Sequence, residues 1–203
     1  MKSQVTRSGS SIWTPANIVT VVRVALVPIW LFFAEICTPG TDSFSISAFL
    51  VFFLYALISM TDKLDGYLAR SRNEVTTFGK FLDPIADKLA VIVALIYLLE
   101  QGMVSSWFLL IIVSREFLVS GLRMVVASAG VVIPASNLGK WKTAITMFAI
   151  NGYLLGLSFP AGFYYGSWYE ILCNVLMWVA VILTAWSGLD YFMHCWPYVK
   201  GQK

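Results

Sequence analysis

Residues 61–90 read TDKLDGYLARSRNEVTTFGKFLDPIADKLA, which contains the pattern D-x-x-D-G-x-x-A-R followed, after eight residues, by G-x-x-x-D-x-x-x-D. The first half of the pattern has the spacing of a helix. Asp62, Asp65, Gly66 and Ala69 fall at i, i+3, i+4 and i+7, so they share one helix face. We therefore predict a helix that presents two carboxylates beside two small residues.

The second half of the pattern predicts another helix face, because Gly79, Asp83 and Asp87 are four residues apart. Carboxylates in an apolar chain are costly unless a cation or partner compensates them. Oxygen-only ligands favour Mg²⁺ or Mn²⁺, and four carboxylates roughly neutralise two such ions. The alternative is a solvated acidic loop paired with nearby lysines, which explains neither the spacing nor the glycines. The predicted metal ligands are Asp62, Asp65, Asp83 and Asp87.

The composition indicates an integral membrane protein. Of 203 residues, 59% are hydrophobic and only 12% are charged, about half the charged share of an ordinary soluble domain. The net charge of +3 gives no reason to expect nucleic acid as a partner. We predict a polar N-terminal tail over 1–13, without a cleavable targeting peptide, and one transmembrane domain over 14–203.

About six segments are apolar enough to cross a bilayer, for which a helix needs about 20 residues. The predicted spans are 17–36, 45–62, 82–100, 105–128, 142–159 and 169–194. The fold class is therefore an all-α membrane protein, a bundle of about six transmembrane helices with a cytosol-facing polar cavity.

The basic residues predict the orientation of this bundle. Alternate connections, near 37–44, 101–104 and 160–168, contain no Lys or Arg, whereas the other connections and the termini carry them. Because positively charged loops stay in the cytosol, both termini and the aspartate motif are expected there.

Small residues beside the acids predict room for a flat ligand such as a nucleotide base. Gly66, Ala69 and Gly79 have little or no side chain, although plain helix packing is the alternative for each alone. Arg70 suits a phosphate, through bidentate hydrogen bonds. Together these residues favour a metal-bound diphosphate that carries a nucleoside.

A second group of residues is basic. Arg115 and Arg123 are eight residues apart, nearly on one helix face, and Lys140 and Lys142 open the next span. They predict a site for a phosphate-bearing acceptor. The alternatives are topological anchoring for the lysines and ion pairing for the arginines, and Arg115 needs a wet cavity or a partner such as Glu116 or an aspartate.

Near the start of the first span, Asn17, Thr20 and Arg23 lie at i, i+3 and i+6. They either add donors to the same pocket or cap the helix and extend to the interface. The three cysteines, Cys37, Cys173 and Cys195, are widely spaced and predict neither a disulfide framework nor a metal site.

The motif resembles that of the CDP-alcohol phosphatidyltransferases. Further segments that resemble this family are PANIVTVVR, SREFLVSGLR and ASNLGKWKT, so that the resemblance covers about residues 14–146. Eight defining positions match: Asp62, Asp65, Gly66, Ala69, Arg70, Gly79, Asp83 and Asp87.

The resemblance implies a six-span homodimer, in the inner membrane if bacterial, with two divalent ions in a cytosol-facing cavity. It implies transfer of a phosphatidyl group from CDP-diacylglycerol to sn-glycerol 3-phosphate, with Asp87 as a metal ligand and the general base. The nucleotide and its diphosphate would be held by Asp65, Gly66, Ala69, Arg70 and Gly79. From their spacing, Asn17 and Thr20 are further candidate donors to this site. The acceptor phosphate would be held by Arg115, Arg123, Lys140 and Lys142.

Two kinds of rival remain open from the sequence. The same chemistry could use inositol phosphate, serine or phosphatidylglycerol as the acceptor. A divalent-cation transporter also places acids among membrane helices, but near the bilayer midplane with access from both sides.

Overall fold

The computed structural model describes residues 14–71, 77–128 and 137–200, and every regular element in these ranges is a helix. Six long helices correspond to the six predicted spans. They are joined by short connections, and one short helix lies in the last of these. The helices are α1 (Pro15–Ile36), α2 (Ile46–Ser71), α3 (Thr77–Glu100), α4 (Ser106–Ser128), α5 (Asn137–Gly156), α6 (Ala161–Tyr164) and α7 (Trp168–Val199).

The start of α1 follows from its sequence. The Oγ1 atom of Thr14 accepts a hydrogen bond from the backbone N–H of Asn17 at 3.3 Å, and Pro15 occupies the first helical position. Both features are typical of a helix N-terminus, since proline lacks a donor that would be unsatisfied there anyway. The helix α1 therefore begins two residues before the predicted span 17–36.

Trp30 joins α1 to its two neighbours. Its indole N–H donates to the backbone carbonyl of Val51 on α2 at 2.9 Å. Its rings lie 5.2 Å from the ring of Tyr55 on α2 and 5.8 Å from that of Tyr97 on α3, measured between centroids. All three aromatic side chains are buried. They hold α1, α2 and α3 together as one group of helices.

The second group consists of α4, α5 and α7, with α7 packed on both of the others. The hydroxyl of Tyr153 on α5 is hydrogen-bonded to the side-chain oxygen of Asn174 on α7 at 2.7 Å. Near the end of α5, a Cβ atom on Gly156 would lie 2.3 Å from the ring of Tyr164. Only glycine permits this close approach of α6 to α5. Contacts of α2 and α3 with α5, and of α3 with α4, join the two groups.

The three connections that lack Lys and Arg meet at one end of the bundle. The backbone N–H of Gly40 donates to the carbonyl of Leu157 at 2.9 Å, and that of Ser45 to the carbonyl of Ser158 at 2.8 Å. Met103, from the third of these connections, lines the same crevice as Gly40 and Leu157. The helices therefore alternate in direction, and Arg123 near the end of α4 and Lys140 and Lys142 near the start of α5 belong to the opposite end.

The bundle is apolar outside and partly polar inside. Large apolar side chains are exposed on several helices, for example Phe32 (63%), Met124 (72%) and Trp186 (65%). Arg23 and Lys142, by contrast, are only 3% and 7% exposed. A soluble protein of this size rarely exposes so much contiguous apolar surface, whereas lipid solvates it at no cost.

Two helices of the described ranges are long and apolar enough by themselves to cross a membrane: Asn17–Ile36 and Trp168–Pro197. The segment Ile46–Thr61 is apolar but shorter. The helix α4 carries Arg115, Glu116 and Arg123, which lower its hydrophobicity. The all-helical class is confirmed. The short helix α6 was not predicted, because four residues carry too little pattern.

We expect Trp30→Ala to destabilise the protein by about 3–5 kcal/mol, the usual cost of removing a large buried aromatic side chain. The substitution removes ring contacts on two neighbouring helices at once. Thermal unfolding in detergent measures the effect. Trp107→Ala is the matched control, because Trp107 is 68% exposed, and an equal loss of stability in both variants would contradict the role of Trp30.

Candidate functional site

The aspartate positions of α2 continue the spacing of the residues that form its buried face. Ala48, Val51, Tyr55 and Ile58 are buried and form one stripe along the helix. Positions 62, 65 and 69 extend the same stripe at i+14, i+17 and i+21 from Ala48. The predicted helical placement of Asp62, Asp65, Gly66, Ala69 and Arg70 is therefore confirmed for the backbone. Their side chains lie outside the described residues.

The same register holds on α3. Positions 83 and 87 share a face with Ala90 and Ala94, at i, i+4, i+7 and i+11, and both alanines are buried. Gly79, Asp83 and Asp87 all lie within the helix, as predicted. The side chains of these residues too are outside the described part of the chain. The predicted metal site, and the nucleotide site beside it, therefore stay predictions that rest on spacing and register.

The interior face of α1 is polar at the same end. Asn17, Thr20 and Arg23 are 4%, 2% and 3% exposed, and the buried face continues with Val27 and Trp30. The capping side chain is that of Thr14. Arg23 is buried in the bundle and does not extend to the interface. Of the two predicted alternatives for these residues, the structure favours an inward-facing polar group.

Glu116 on α4 brings two of the predicted basic residues together. Its Oε1 atom forms an ion pair with Nζ of Lys142 on α5 and lies 3.4 Å from Nη1 of Arg115. The side chains of Lys142, Arg115 and Glu116 are 8%, 13% and 17% exposed. The expectation that Arg115 needs a partner such as Glu116 is thus confirmed.

One turn further along α4, Ser120 links this group to α3. Its hydroxyl accepts a hydrogen bond from Nζ of Lys88 and donates one to the backbone carbonyl of Glu116 at 2.8 Å. Lys88 follows Asp87 directly in the sequence. The basic group on α4 and α5 is thereby connected to the helix that carries the second half of the aspartate motif.

The remaining two predicted acceptor residues differ in their surroundings. Arg123 is exposed and lies over the ring of Tyr191 on α7, at 6.0 Å from the ring centroid, within electrostatic range of Arg115. Lys140 is exposed as well, and it leaves α5 about 200° around the helix from Lys142, since each residue turns the helix by about 100°. The structure thus brings Arg115, Lys142 and Arg123 near one another, while Lys140 faces away from Lys142.

Gly188 on α7 makes room for Arg115. A Cβ atom at this position would lie 2.9 Å from Cγ of Arg115. Gly188 lines an apolar groove of about 510 Å³ between α4 and α7, together with Leu118 and Phe192. Sequence reasoning missed Gly188, Ser120 and Tyr191. A small residue in an otherwise apolar membrane helix was the available signal for Gly188.

The polar residues just described gather in one half of the bundle. The half toward the connections without Lys and Arg is filled by Trp30, Tyr55, Tyr97 and Leu98. In the other half, the described polar side chains in the interior include those of Arg23 on α1, Glu116 on α4 and Lys142 on α5. Within the part of the chain that the structure describes, no three His, Cys, Asp or Glu side chains group around a metal position. The donor set that suits a divalent cation is the four aspartates.

A helical bundle with this polar end and the complete aspartate motif defines the class of protein. A family model described as CDP-alcohol phosphatidyltransferase matches residues 13–186. The match covers most of the 203 residues, and the chain belongs to this family, whose members are bound to membranes.

Several curated relatives of the chain share one name. The chain is 38% identical over 198 residues to a CDP-diacylglycerol–glycerol-3-phosphate 3-phosphatidyltransferase of Bacillus subtilis. This alignment covers 91% of this chain and 96% of the relative. Proteins with the same name from Rickettsia bellii and Haemophilus influenzae are 39% and 37% identical. These alignments cover 90% and 85% of this chain, and 95% and 88% of the relatives.

Proposed function

We propose that this protein transfers the phosphatidyl group of CDP-diacylglycerol to sn-glycerol 3-phosphate and releases CMP. The observation that carries the proposal is the convergence of two features at one end of the bundle. One is the acidic motif, in register with the buried faces of α2 and α3. The other is a cationic group around Glu116, on α4 and α5. The names of the relatives support the same activity.

The proposed enzyme crosses the membrane six times, as a homodimer, with both termini and the polar cavity facing the cytosol. This orientation is supported by the separation of the connections. Those without Lys or Arg lie together at one end, and positive charge is retained on the cytosolic side. In a bacterium the membrane would be the inner one. Acyl chains of the lipid substrate then stay in the bilayer while the soluble acceptor enters from water.

The acidic motif is proposed to hold the lipid nucleotide. Two divalent cations, Mg²⁺ or Mn²⁺, bound by Asp62, Asp65, Asp83 and Asp87, would neutralise charge on the diphosphate and on the departing CMP. The residues fit such ions because all four offer hard oxygen ligands, at spacings that place each pair on one face of its helix. The cytidine nucleotide is proposed to contact Asp65, Gly66, Ala69, Arg70 and Gly79, with Asn17 and Thr20 as further donors.

The group proposed to start the transfer is Asp87. Its carboxylate accepts the proton of the primary hydroxyl of glycerol 3-phosphate. The resulting oxygen forms a bond to the phosphorus that carries diacylglycerol, and the bond from this phosphorus to CMP breaks on the opposite side. The products are phosphatidylglycerophosphate and CMP, with the proton on Asp87.

The cationic group is proposed to hold the phosphate of the acceptor. Arg115 and Lys142 share one carboxylate, so part of their positive charge is left for an anion, and Arg123 lies within electrostatic range of Arg115. We include Lys140 in the acceptor site as a more distant cation, since it is exposed near the start of α5.

The rival functions are less well supported. A cation transporter needs a polar path to both sides of the membrane. Here the interior half beyond the motif is filled by buried Trp30, Tyr97 and Leu98. Acceptors such as inositol phosphate, serine or phosphatidylglycerol would use the same chemistry, but the relatives' names contain glycerol 3-phosphate.

The direct test of the function is the release of CMP from CDP-diacylglycerol by the purified protein. We expect release only when both glycerol 3-phosphate and a divalent cation are present, because the four aspartates supply metal ligands but no positive charge to neutralise the diphosphate. A chelator should abolish the release, and excess Mg²⁺ should restore it. CMP release that continues in the presence of the chelator, or that requires a different acceptor, would contradict the proposal.

Asp87→Asn should lower kcat at least about a hundredfold, the usual contribution of a general base. The amide keeps the size of the side chain but cannot accept the proton. Asp42→Asn is the matched control, since Asp42 is exposed in a connection at the other end of the bundle. Full CMP release by the purified Asp87→Asn protein would refute the role of Asp87.

Arg123→Ala should raise KM for glycerol 3-phosphate by about tenfold or more, as expected for loss of a hydrogen bond between charged groups. KM for CDP-diacylglycerol should change far less. Lys200→Ala is a suitable control, because Lys200 also lies over an aromatic ring, that of Trp196 at 5.1 Å, but in no proposed site. Equal weakening of both substrates by Arg123→Ala would contradict the acceptor assignment.

A further inference from the structure

Glu116 holds a position that none of the proposed substrate contacts explains. A single oxygen of its carboxylate, Oε1, contacts both Arg115 and Lys142. Arg115 is its neighbour on α4, whereas Lys142 belongs to α5. The carboxylate therefore joins α4 to α5 through Lys142, and Arg115 is a second cation on the same oxygen.

The charges around Glu116 do not balance. Two cations contact one carboxylate, which leaves a net charge of about +1 on largely buried side chains. Lys142 is also within electrostatic range of Lys88, and Arg115 of Arg123. Buried like charges repel each other strongly unless an anion lies between them. Glu116 supplies that anion when no substrate is bound, and the excess positive charge remains available to a substrate phosphate.

The donors of both cations exceed what Glu116 accepts. A lysine ammonium has three N–H donors and an arginine guanidinium five. Within the described ranges, Nε of Arg115 is buried without a hydrogen-bond partner. A phosphate can therefore bind beside Glu116 and need not displace it.

The neighbouring residues restrict the movement of Glu116 and its partners. Arg115 lies against the bare Cα of Gly188 on α7. The backbone carbonyl of Glu116 accepts from Ser120, which in turn accepts from Lys88 on α3. Glu116 thus lies in the region where α4 contacts α3, α5 and α7. A change in its charge should therefore alter the geometry of the cationic group.

We propose that Glu116 is a positioning residue, which holds Arg115 and Lys142 side by side and thereby prepares them for the acceptor phosphate. This role rests on the proposed function, because it presumes that these two cations meet glycerol 3-phosphate. Glu116 itself contacts neither substrate. Its removal leaves Arg115 and Lys142 to repel each other and to separate.

The test is Glu116→Gln, which keeps the size of the side chain and removes its charge. We expect KM for glycerol 3-phosphate to rise about tenfold or more, the order of a weakened hydrogen bond between charged groups. KM for CDP-diacylglycerol and kcat at saturating acceptor should change less than about threefold. Glu116 is proposed to act only on the binding of glycerol 3-phosphate, so its loss should not alter the binding of the other substrate. Glu116→Asp, which retains the charge, should recover part of the loss.

A double-mutant cycle shows whether Glu116 acts through Lys142. Lys142→Met alone should raise KM for glycerol 3-phosphate, and adding Glu116→Gln to it should raise KM much less than Glu116→Gln does alone, since coupled residues are not additive. Additive effects on KM overturn the proposal. So does a lower KM in Glu116→Gln, which would mean that the carboxylate competes with the phosphate.

Two further measurements make the outcome unambiguous. Glu170→Gln is the matched control, because Glu170 binds the backbone N–H of Gly166 at 2.7 Å near the other end of α7, and it should leave both KM values unchanged. If Glu116→Gln does not fold, Glu116→Asp carries the test, and an unchanged KM for the acceptor overturns the proposal. Absence of acceptor-dependent CMP release in the wild-type protein overturns the proposed function itself, whereas normal release with an unchanged KM in Glu116→Gln overturns only the role of Glu116.

Discussion

Charge inside a helical bundle whose outer surface is apolar is the constraint on which the rest of this structure depends. Lipid offers charged side chains no solvation, so each one must face a partner, an ion or water. Arg23 and Lys142 are almost fully buried, yet Phe32 and Trp186 are exposed. Buried charges together with exposed apolar side chains are expected only of a membrane protein whose polar interior serves a function. Phosphatidyl transfer supplies such a function, because it joins a lipid to a water-soluble acceptor.

The two halves of the bundle differ in what their interior residues do: one half stabilises the fold, and the other carries the candidate site. In one half, aromatic contacts of Trp30 with Tyr55 and Tyr97 hold three helices together, and the paired connections close that end. In the other half the same interior faces carry polar and acidic positions. Each helix therefore needs only a change of residue type along one face to serve both purposes.

The basic residues show which contacts the spacing along a helix can predict and which it cannot. Arg115 and Lys142 meet at Glu116, as ion pairing of buried charges demands. Lys140 differs, because two residues along a helix lead to opposite sides, and its sequence neighbourhood does not reveal which lysine faces inward. Gly188 was missed for a related reason, since it lies 73 positions beyond Arg115 in the chain and only the packing of α4 on α7 brings them together.

The sequence by itself determined the six long helices, the all-α class and the family to which the chain belongs. These properties are local, because hydrophobic length, helix caps and motif spacing act within a few turns of the chain. Only the tertiary structure decided which cations share Glu116, which lysine faces inward and where glycine admits a neighbour. Those outcomes depend on contacts between helices that are distant in sequence, and spacing within one helix carries no information about them.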